Sequence, residues 1–308
     1  MEKKIFLTGH LGFIGGSIKN KLLSHQIYRN YNLTYDYIDI KNKKNWINSL
    51  RNSEIIIHCG ARAHITKELE INPLKSFREA NTETTKVLVE EAINLGVKRI
   101  IFLSSIGVNG NHTEKFKPFS VYDTPMPGDY YAISKWEAEQ KLWQISNKTN
   151  LEVVVIRAPL VYGPEVGGNF LRLLNLIHAG IPLPFAKVDN LKSFISIDNL
   201  IDLIFNCIEK SEAPGNTFLA SDNHDISSTE LINKLSFFMG KSPKLYYLPL
   251  PIIKLIGYLI RRKTEVNKFL CSLRIDNSIT HKILGWKPPH SLNEGLEKMV
   301  HWYLKQKN

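Results

Sequence analysis

Short apolar runs recur along the first half of the chain and alternate with longer stretches of helical periodicity. Four of these runs suit a buried strand and are too short for a helix: residues 5–7, 55–57, 100–103 and 153–156. Helical patterns lie between them, from about residue 81 to residue 95, where Gly96 stops the helix, and from about residue 131 to residue 145. This alternation predicts an α/β fold, a doubly wound parallel sheet with helices on both faces.

The second half of the chain is more mixed and predicts a smaller α/β lobe. Residues 198–209 have the period of an amphipathic helix. Ser227 with Glu230, and Ser291 with Glu294, have the spacing of a capping box and predict two more helix starts, the first helix ending before Gly240. The pattern changes near residues 161–168. We therefore expect a first lobe over residues 1–165, to which the chain is free to return later, and a second lobe mainly over residues 166–308.

Charge and hydropathy limit the kinds of molecule that the chain is expected to bind. The net charge of +11 fits nucleic acid, an anionic membrane or an anionic small substrate, but the basic residues are scattered and no basic face with interleaved aromatic residues is apparent. We therefore expect no nucleic acid partner. Residues 248–260 are apolar but too short to span a bilayer. We expect a helix packed within the second lobe, with an interfacial helix as the alternative, so contact of residues 248–263 with a membrane surface stays open.

The three cysteines offer no cross-link and no metal site. Cys59, Cys207 and Cys271 are far apart, with neither a disulfide framework nor metal-ligand spacing. Cys59 ends an apolar run and is expected to be a small buried hydrophobic residue rather than a nucleophile. The first apolar segment is too short for a signal peptide. These features predict a cytoplasmic protein without a transmembrane segment.

A glycine-rich loop follows the first predicted strand. Gly9 allows a tight turn, Gly12 lets the backbone approach a pyrophosphate, and Gly15 lets the first helix pack closely on the strand. Phe13 and Ile14 begin that helix, whose free N–H groups and dipole favour a phosphate. The loop therefore predicts that the first lobe is a Rossmann domain that binds NAD or NADP.

An acidic residue about twenty positions beyond such a loop is expected to bind the adenosine ribose, and Asp36 and Asp39 are the candidates. We favour Asp39, with residues 35–40 as the third strand and residues 26–31 as the second. The second strand would then end without a carboxylate, and Arg29 would favour the 2′-phosphate of NADP. The sequence does not decide between NAD and NADP.

Tyr131 and Lys135 are four residues apart and therefore share a helix face. Their helix lies between two buried strands, and Ser104 and Ser105 end the first of these. Ligands of a doubly wound sheet bind at the carboxyl ends of its strands, which puts Ser105 and Tyr131 beside the nicotinamide. Removing a hydride from a secondary alcohol requires a base for the hydroxyl proton. A free tyrosine has a pKa near 10, and the ammonium of Lys135 favours its phenolate, while Ser105 orients the substrate oxygen.

These residues, with residues 157–164, resemble the extended short-chain dehydrogenase/reductase family in its UDP-glucose 4-epimerase-like (NAD-dependent epimerase/dehydratase) branch. Residues 58–64, 181–184 and 284–288 are similar to bacterial reductases of UDP-linked 4-keto-6-deoxy-N-acetylhexosamines, which serve surface-polysaccharide synthesis. The resemblance extends over nearly the whole chain.

The resemblance also implies roles for matching positions. It puts three residues along the dinucleotide: Gly60, Ala61 and Ser104. Asn81 would fix the architecture on the cofactor side, and Asn169 would contact the phosphates of a nucleotide sugar. Without the resemblance, a helix-capping role is as plausible for each asparagine as a role in ligand binding. Lys192 stands where the family usually has arginine, so it would meet a phosphate as a point charge.

Two further departures from the family pattern bear on the reaction. Asn109 replaces the usual tyrosine. Ile106 and Gly107 stand where sugar dehydratases have an Asp-Glu pair, so dehydration is not expected.

Two activities at C4 of a UDP-hexose or UDP-N-acetylhexosamine fit these residues. We favour NAD(P)H-dependent reduction of a UDP-4-keto sugar, because the weak ribose signal suggests a cofactor that exchanges. A 4-epimerase with tightly bound NAD is the alternative. A non-catalytic dinucleotide sensor or scaffold is disfavoured because the serine, tyrosine and lysine are all present. The resemblance further implies a homodimer with the Tyr131 helix at its interface; the identity of the sugar stays open.

Overall fold

A computed structural model describes residues 3–24, 30–63 and 72–307 of the chain. Arg29, proposed for a 2′-phosphate, lies outside the described residues, as do most of the second strand predicted over residues 26–31 and His64 of the resemblance pattern.

The described residues form strands, α-helices and two short segments of other helix types. The strands are β1 (Lys3–Thr8), β2 (Tyr31–Asp36), β3 (Ile55–His58), β4 (Arg99–Ser105), β5 (Glu152–Ala158), β6 (Leu160–Tyr162), β7 (Phe194–Ser196) and β8 (Thr217–Leu219). The helices are α1 (Phe13–Ser24), α2 (Lys43–Leu50), α3 (Pro73–Phe77), α4 (Thr84–Asn94), α5 (Tyr130–Ser146), α6 (Gly168–His178), α7 (Ile197–Glu209), α8 (Ser228–Phe238), α9 (Leu250–Leu259), α10 (Lys263–Leu270), α11 (Ser278–Leu284) and α12 (Leu292–Lys305). A π-helical segment (Arg78–Glu83) joins α3 to α4, and a 3-10 turn (Ile106–Val108) follows β4.

A six-stranded parallel sheet in the order β2-β1-β3-β4-β5-β8 forms the centre of the first lobe. The four predicted strands are confirmed as β1, β3, β4 and β5. In register, Thr8 lies opposite both Asp36 and His58, so the carboxyl ends of β2, β1 and β3 share one edge of the sheet. The connections run in opposite directions from β1, which makes the crevice between β1 and β3 the expected ligand site.

Both faces of this sheet are buried, as a parallel sheet requires. Along β1, Ile5 and Leu7 pack on one side with α1 and α7, and Phe6 packs on the other with α2, α4 and α5. This alternation explains why the strands read as continuous apolar runs. The architecture is therefore the Rossmann-like doubly wound sheet that the sequence predicts.

The second lobe is built around a parallel pair of strands, β6 and β7, covered by α6, α8 and α12. The chain returns to the first lobe in between, because α7 packs on the large sheet and β8 extends it beside β5. The predicted helix starts are confirmed. The hydroxyl of Ser227 accepts from the N–H of Glu230, and Ser291 with Glu294 forms a complete capping box.

Two predicted boundaries were wrong. The helix expected from residue 81 begins earlier, at Pro73, so Asn81 lies inside a π-helical segment and caps nothing. Most of the strand expected at residues 26–31 lies outside the described residues. Instead of a strand at residues 35–40, the structure has strand β2, which ends at Asp36. It lies at the edge of the sheet with half-exposed and polar positions such as Asn32 and Thr34, so it lacks the continuous apolar run that marks the buried strands.

Candidate active site

The glycine loop between β1 and α1 has the geometry that close packing requires. Gly9 has a φ of 75°, and a Cβ atom on Gly15 would lie 2.2 Å from the carbonyl oxygen of Gly9. The N–H of Gly12 donates to that same oxygen at 2.9 Å, and Phe13 and Ile14 then begin α1. The loop thus directs the N-terminus of α1 toward the crevice at the carboxyl edge of the sheet.

The loop after β3 packs against the glycine loop. A Cβ atom on Gly9 would lie 2.6 Å from the nitrogen of Gly60, and the N–H of Gly60 donates to the Thr8 hydroxyl at 3.2 Å. Gly60 and the adjacent Ala61 therefore line the crevice expected for a dinucleotide.

The carboxylate at the end of β2 belongs to Asp36, which corrects our choice of Asp39. Asp36 lies opposite Thr8, and its carboxylate accepts from the Ser49 hydroxyl at 2.9 Å and from the N–H of Tyr37 at 2.8 Å. Asp39 lies three residues beyond the strand, and its carboxylate accepts from the N–H of Lys41 at 2.9 Å. The error follows from the misplaced second strand.

Asn81 connects the dinucleotide loop to the helix that carries Tyr131. Its side-chain oxygen accepts from the N–H of Arg62 at 2.7 Å, and its amide donates to the carbonyl of Arg62 at 3.1 Å. The same amide donates to the hydroxyl of Ser134 at 2.8 Å. Asn81 therefore holds residue 62 beside the helix turn that precedes Lys135, a positioning role and not a cap.

Ser105 ends β4 and packs against the first turn of α5. Its hydroxyl accepts from the N–H of Gly107 at 3.1 Å. A Cβ atom on Gly107 would lie 3.3 Å from the Ser105 oxygen and 3.3 Å from the Cβ of Ala132. Since Tyr131 directly precedes Ala132, the structure brings Ser105 and Tyr131 to the same edge of the crevice. The carboxylate of Asp129 caps the helix by accepting from the N–H of Ala132 at 2.9 Å.

Lys135 is a buried ammonium whose polar contacts within the protein are poor. The residue is 1% exposed, and its Nζ lies 3.8 Å from the centroid of the Phe102 ring. None of the residues that the structure describes accepts a hydrogen bond from this Nζ. Burial lowers the pKa of Lys135 to about 7, although the negative charge of Glu139 opposes that shift. The arrangement suits an ammonium whose hydrogen-bond acceptors come from a ligand.

Burial favours the neutral forms of three other groups in this region, Tyr131, His58 and Cys59. Burial raises the pKa of Tyr131 to about 12, with a contribution from the charge of Asp129. Burial also lowers the pKa of His58 to about 3 and raises that of the Cys59 thiol to about 12. Cys59 is therefore a poor nucleophile. Among the described residues, Lys135 lies one helix turn after Tyr131, and a cation there would favour the phenolate.

The sequence did not predict a buried ion pair between helix α5 and strand β5. Arg157, at the end of β5, donates to the carboxylate of Glu139 at 2.7 Å through Nη2. Its Nη1 donates to the side-chain oxygen of Asn109 at 2.9 Å, so the asparagine that departs from the family pattern has a structural partner. Ser104 also donates its hydroxyl to Glu139, and its expected place beside the dinucleotide stays a prediction. No local spacing signals the pair of Arg157 with Glu139, because its two members lie on a strand and on a helix.

The predicted phosphate ligands lie in the second lobe. Asn169 is exposed in the first turn of α6, while Gly167 occupies the cap position. Phe170 packs on Phe194 with ring centroids 5.6 Å apart, which joins this turn to the strand that follows Lys192. Lys192 donates through Nζ to the carbonyl of Lys268, and burial lowers its pKa to about 8.

The described residues fit a nicotinamide dinucleotide on three structural observations. A glycine loop opens onto a helix N-terminus, which suits a pyrophosphate. A carboxylate, that of Asp36, ends the neighbouring strand and suits a ribose hydroxyl pair. The ammonium of Lys135 is buried, and none of the described residues accepts a hydrogen bond from it.

Known proteins are similar to this chain in sequence and in fold. Residues 5–220 match the NAD dependent epimerase/dehydratase family. A UDP-glucose 4-epimerase of Vibrio cholerae is 38% identical, with 100% of this chain and 98% of the relative covered. The N-acetyl-alpha-D-glucosaminyl-diphospho-ditrans,octacis-undecaprenol 4-epimerase of Escherichia coli O157:H7 is 22% identical over 98% of this chain and 96% of its own. The crystal structure of a UDP-glucuronic acid 4-epimerase from Bacillus cereus in complex with NAD has a TM-score of 0.79, at 20% identity and coverage of 99% and 100%.

Proposed function

Because the chain belongs to the NAD dependent epimerase/dehydratase family, we propose that it is a 4-epimerase of UDP-linked hexoses or N-acetylhexosamines that keeps NAD bound. The chain is a nucleotide-sugar enzyme of the epimerase/dehydratase type. One observation carries the finer proposal. Ser105 lies beside the first turn of α5, which carries Tyr131, at the carboxyl edge of the sheet. The buried Lys135 follows one helix turn further along α5, and the carboxylate of Asp36 ends β2 at the same edge.

The protein residues divide the proton chemistry of such a reaction among them. NAD, when bound, supplies the acceptor that takes the C4 hydride and the donor that returns it to the other face of the sugar. The Tyr131 oxygen takes the proton of the C4 hydroxyl as the hydride leaves and gives it back when the hydride returns. Burial alone makes Tyr131 a weaker acid, so the positive charge of Lys135 is needed to favour its phenolate. The Ser105 hydroxyl orients the same substrate oxygen.

The carboxylate of Asp36 favours a 4-epimerase over a reductase as the proposed function. Our preference for a reductase of UDP-4-keto sugars rested on a second strand that ends without a carboxylate. Since β2 ends in Asp36, the chain has the acidic group that binds the 2′- and 3′-hydroxyls of an NAD ribose. Such a group favours NAD over NADP, and an epimerase uses NAD without releasing it. The V. cholerae relative, an epimerase by name, supports the same choice.

Dehydration of the sugar is disfavoured by the turn after Ser105. Ile106 is 5% exposed and belongs to an apolar cluster, and Gly107 has no side chain. Neither residue supplies the acid or the base that removal of water from a sugar requires. We propose that Asn169 and Lys192 contact the diphosphate, with Lys192 exchanging its contact to the carbonyl of Lys268 for a phosphate oxygen.

The test pairs two neighbouring tyrosines. In Tyr131→Phe the base is lost, and we expect kcat for interconversion of the C4 epimers to fall about 10²- to 10⁴-fold while bound NAD is retained. Tyr130→Phe is the matched control, because Tyr130 is 49% exposed on the same helix turn, and it should keep wild-type turnover. Proton NMR of UDP-glucose/UDP-galactose and of the N-acetylhexosamine pair measures both variants. Wild-type turnover in Tyr131→Phe would refute the assignment.

A further inference from the structure

Helix α9 presents an apolar stripe to solvent. Ile252, Leu255, Ile256 and Leu259 have the spacing of one helix face and are 43%, 56%, 42% and 69% exposed. A helix of a globular protein normally buries such a stripe in the core. The opposite face of α9 is the one that packs. Our expectation of a helix packed within the second lobe therefore holds for one face only.

The packed face lies against α10. Ile253 is 4% exposed, and a Cβ atom on Gly257 would lie 2.8 Å from a methyl carbon of Val266. This close contact fixes the rotation of α9 about its own axis, so the apolar stripe cannot turn inward without separating the two helices. The exposure of the stripe is therefore a consequence of how α9 and α10 pack.

Other large apolar side chains extend the stripe into a surface that we call the α9 patch. Its members are Tyr246, Tyr247, Leu250, Ile252, Leu255, Ile256, Tyr258, Leu259 and Ile260, each at least 42% exposed. Exposed large apolar side chains that cluster in this way, within 15 consecutive residues, are typical of an interaction site. The three tyrosines are residues typical of the boundary between water and an apolar phase.

The stretch of sequence that carries the α9 patch is rich in basic residues. No aspartate or glutamate occurs from residue 231 to residue 264, whereas this stretch contains the basic residues Lys234, Lys241, Lys244, Lys254, Arg261, Arg262 and Lys263. Arg261, Arg262 and Lys263 follow α9, and among the described residues the acidic partner of this turn is Glu265, 3.7 Å from Arg262. The basic turn is thus continuous with the apolar stripe.

We propose that the α9 patch and its basic turn dock on the surface of an anionic phospholipid bilayer. The apolar stripe would enter the boundary between headgroups and acyl chains, and the basic turn would contact the phosphates. At 10 residues, α9 is about 15 Å long and lies in the plane of the interface. None of the helices in the described residues is long and apolar enough to cross a membrane, which agrees with docking at one surface.

Charge favours a bilayer over a second copy of the chain as the occupant. Two α9 stripes that face each other would bring both basic turns into one interface, where each turn has three cations and one neighbouring carboxylate, Glu265. Like charges at an interface oppose association. An anionic bilayer supplies the missing negative charge and apolar volume together.

Docking would also set the position of the active site. The carbonyl of Lys268 in α10 accepts from Lys192, and the ammonium of Lys268 lies 3.1 Å from the carboxylate of Asp129, the cap of α5. Helix α10 thus contacts the docked helix on one side and the entrance of the candidate active site on the other. A docked enzyme would act on its sugar next to the headgroup layer.

Vesicle flotation of the purified full-length chain tests the proposal. The probes are vesicles of equal parts phosphatidylglycerol and phosphatidylcholine, and vesicles of phosphatidylcholine alone. We expect at least tenfold tighter binding to the anionic vesicles, weakening as salt is raised. The double variant Leu255→Gln/Leu259→Gln should bind at least tenfold more weakly. The control Leu23→Gln, on α1 and 64% exposed, should bind like the wild type.

A second variant separates charge from apolar contact. Arg262→Gln/Lys263→Gln should weaken binding to anionic vesicles and reduce its dependence on salt. The proposal is overturned if the wild type fails to float with anionic vesicles, or if the double leucine variant floats like the wild type. It is also overturned if sedimentation shows a dimer that the leucine substitutions dissociate, because a second copy then covers the patch. These measurements do not depend on catalysis, so their failure leaves the proposed function untouched.

Discussion

Replacing Lys135 by methionine should stabilise the cofactor-free protein at neutral and acidic pH. The ammonium is buried, and none of the described residues accepts a hydrogen bond from it. Methionine has a similar volume and keeps the apolar stem in place without the charge. The site therefore has a group that destabilises the fold when no ligand is bound, as expected of a residue retained for function.

The pKa of Lys135 gives the size of the expected gain in the free energy of unfolding. A fall from the ordinary value of 10.5 to about 7 corresponds to about 5 kcal/mol of unfavourable charge burial below pH 7. Relaxation of the surroundings reduces this, so we expect a gain of about 2 to 5 kcal/mol in the free energy of unfolding at pH 6. Above pH 7 the folded protein releases this proton while the unfolded chain keeps it. Wild-type stability therefore rises with pH, by up to about 1.4 kcal/mol per pH unit, until about pH 10.5.

Urea denaturation of nucleotide-free protein at pH 6 and pH 8.5 measures the effect. The advantage of Lys135→Met should shrink by about 2 kcal/mol between these pH values. Lys86→Met is the control, because Lys86 is exposed on α4, and it should show no such change. The reasoning is refuted if Lys135→Met is less stable than the wild type at pH 6, or if its advantage is equal at both pH values. The variant should also lose epimerase activity.

Three further substitutions test the cofactor site and its support. Asp36→Ala should raise the Kd for NAD at least about tenfold, through loss of charged hydrogen bonds to the ribose, whereas Asp39→Ala should change it less than twofold; equal effects in calorimetry would contradict the assignment. Gly15→Ala should abolish NAD binding, because its Cβ would lie 2.2 Å from a carbonyl oxygen, whereas Gly16→Ala, 3.4 Å from its nearest neighbour, should bind NAD. Glu139→Gln should destabilise the protein by about 3 kcal/mol in urea, because it leaves a buried guanidinium without its counter-charge; a loss below about 1 kcal/mol would contradict this.

Most of the first lobe and two helix starts of the second lobe could be predicted because their signals are local. The buried strands β1, β3, β4 and β5 are apolar runs, and the glycine loop is a contiguous motif. Ser291 with Glu294 marks a helix start through contacts three residues apart. Each of these features depends on neighbours in sequence, so the pattern of residues is sufficient to find it.

The remaining features depend on where elements lie in the sheet. Strand β2 is an edge strand, so its half-exposed pattern hides the strand end at Asp36. The pair between Glu139 and Arg157 joins residues on a helix and a strand, and nothing in either segment alone indicates it. The α9 stripe has the period of a core helix, and only its packing on α10 shows that it faces solvent. The expected homodimer through α5 stays a prediction.

The most direct test of the proposed epimerase compares the number of sugar molecules epimerised with the amount of NAD bound to the protein. Purified protein is denatured to quantify bound NAD, and native protein is then incubated with UDP-glucose or UDP-N-acetylglucosamine without added nucleotide. The account predicts bound NAD and many turnovers to the C4 epimer per NAD, with no net change in absorbance at about 340 nm. Protein that arrives without nucleotide, forms no epimer, and oxidises one NADH or NADPH for each UDP-4-keto-6-deoxy-N-acetylhexosamine reduced would contradict it.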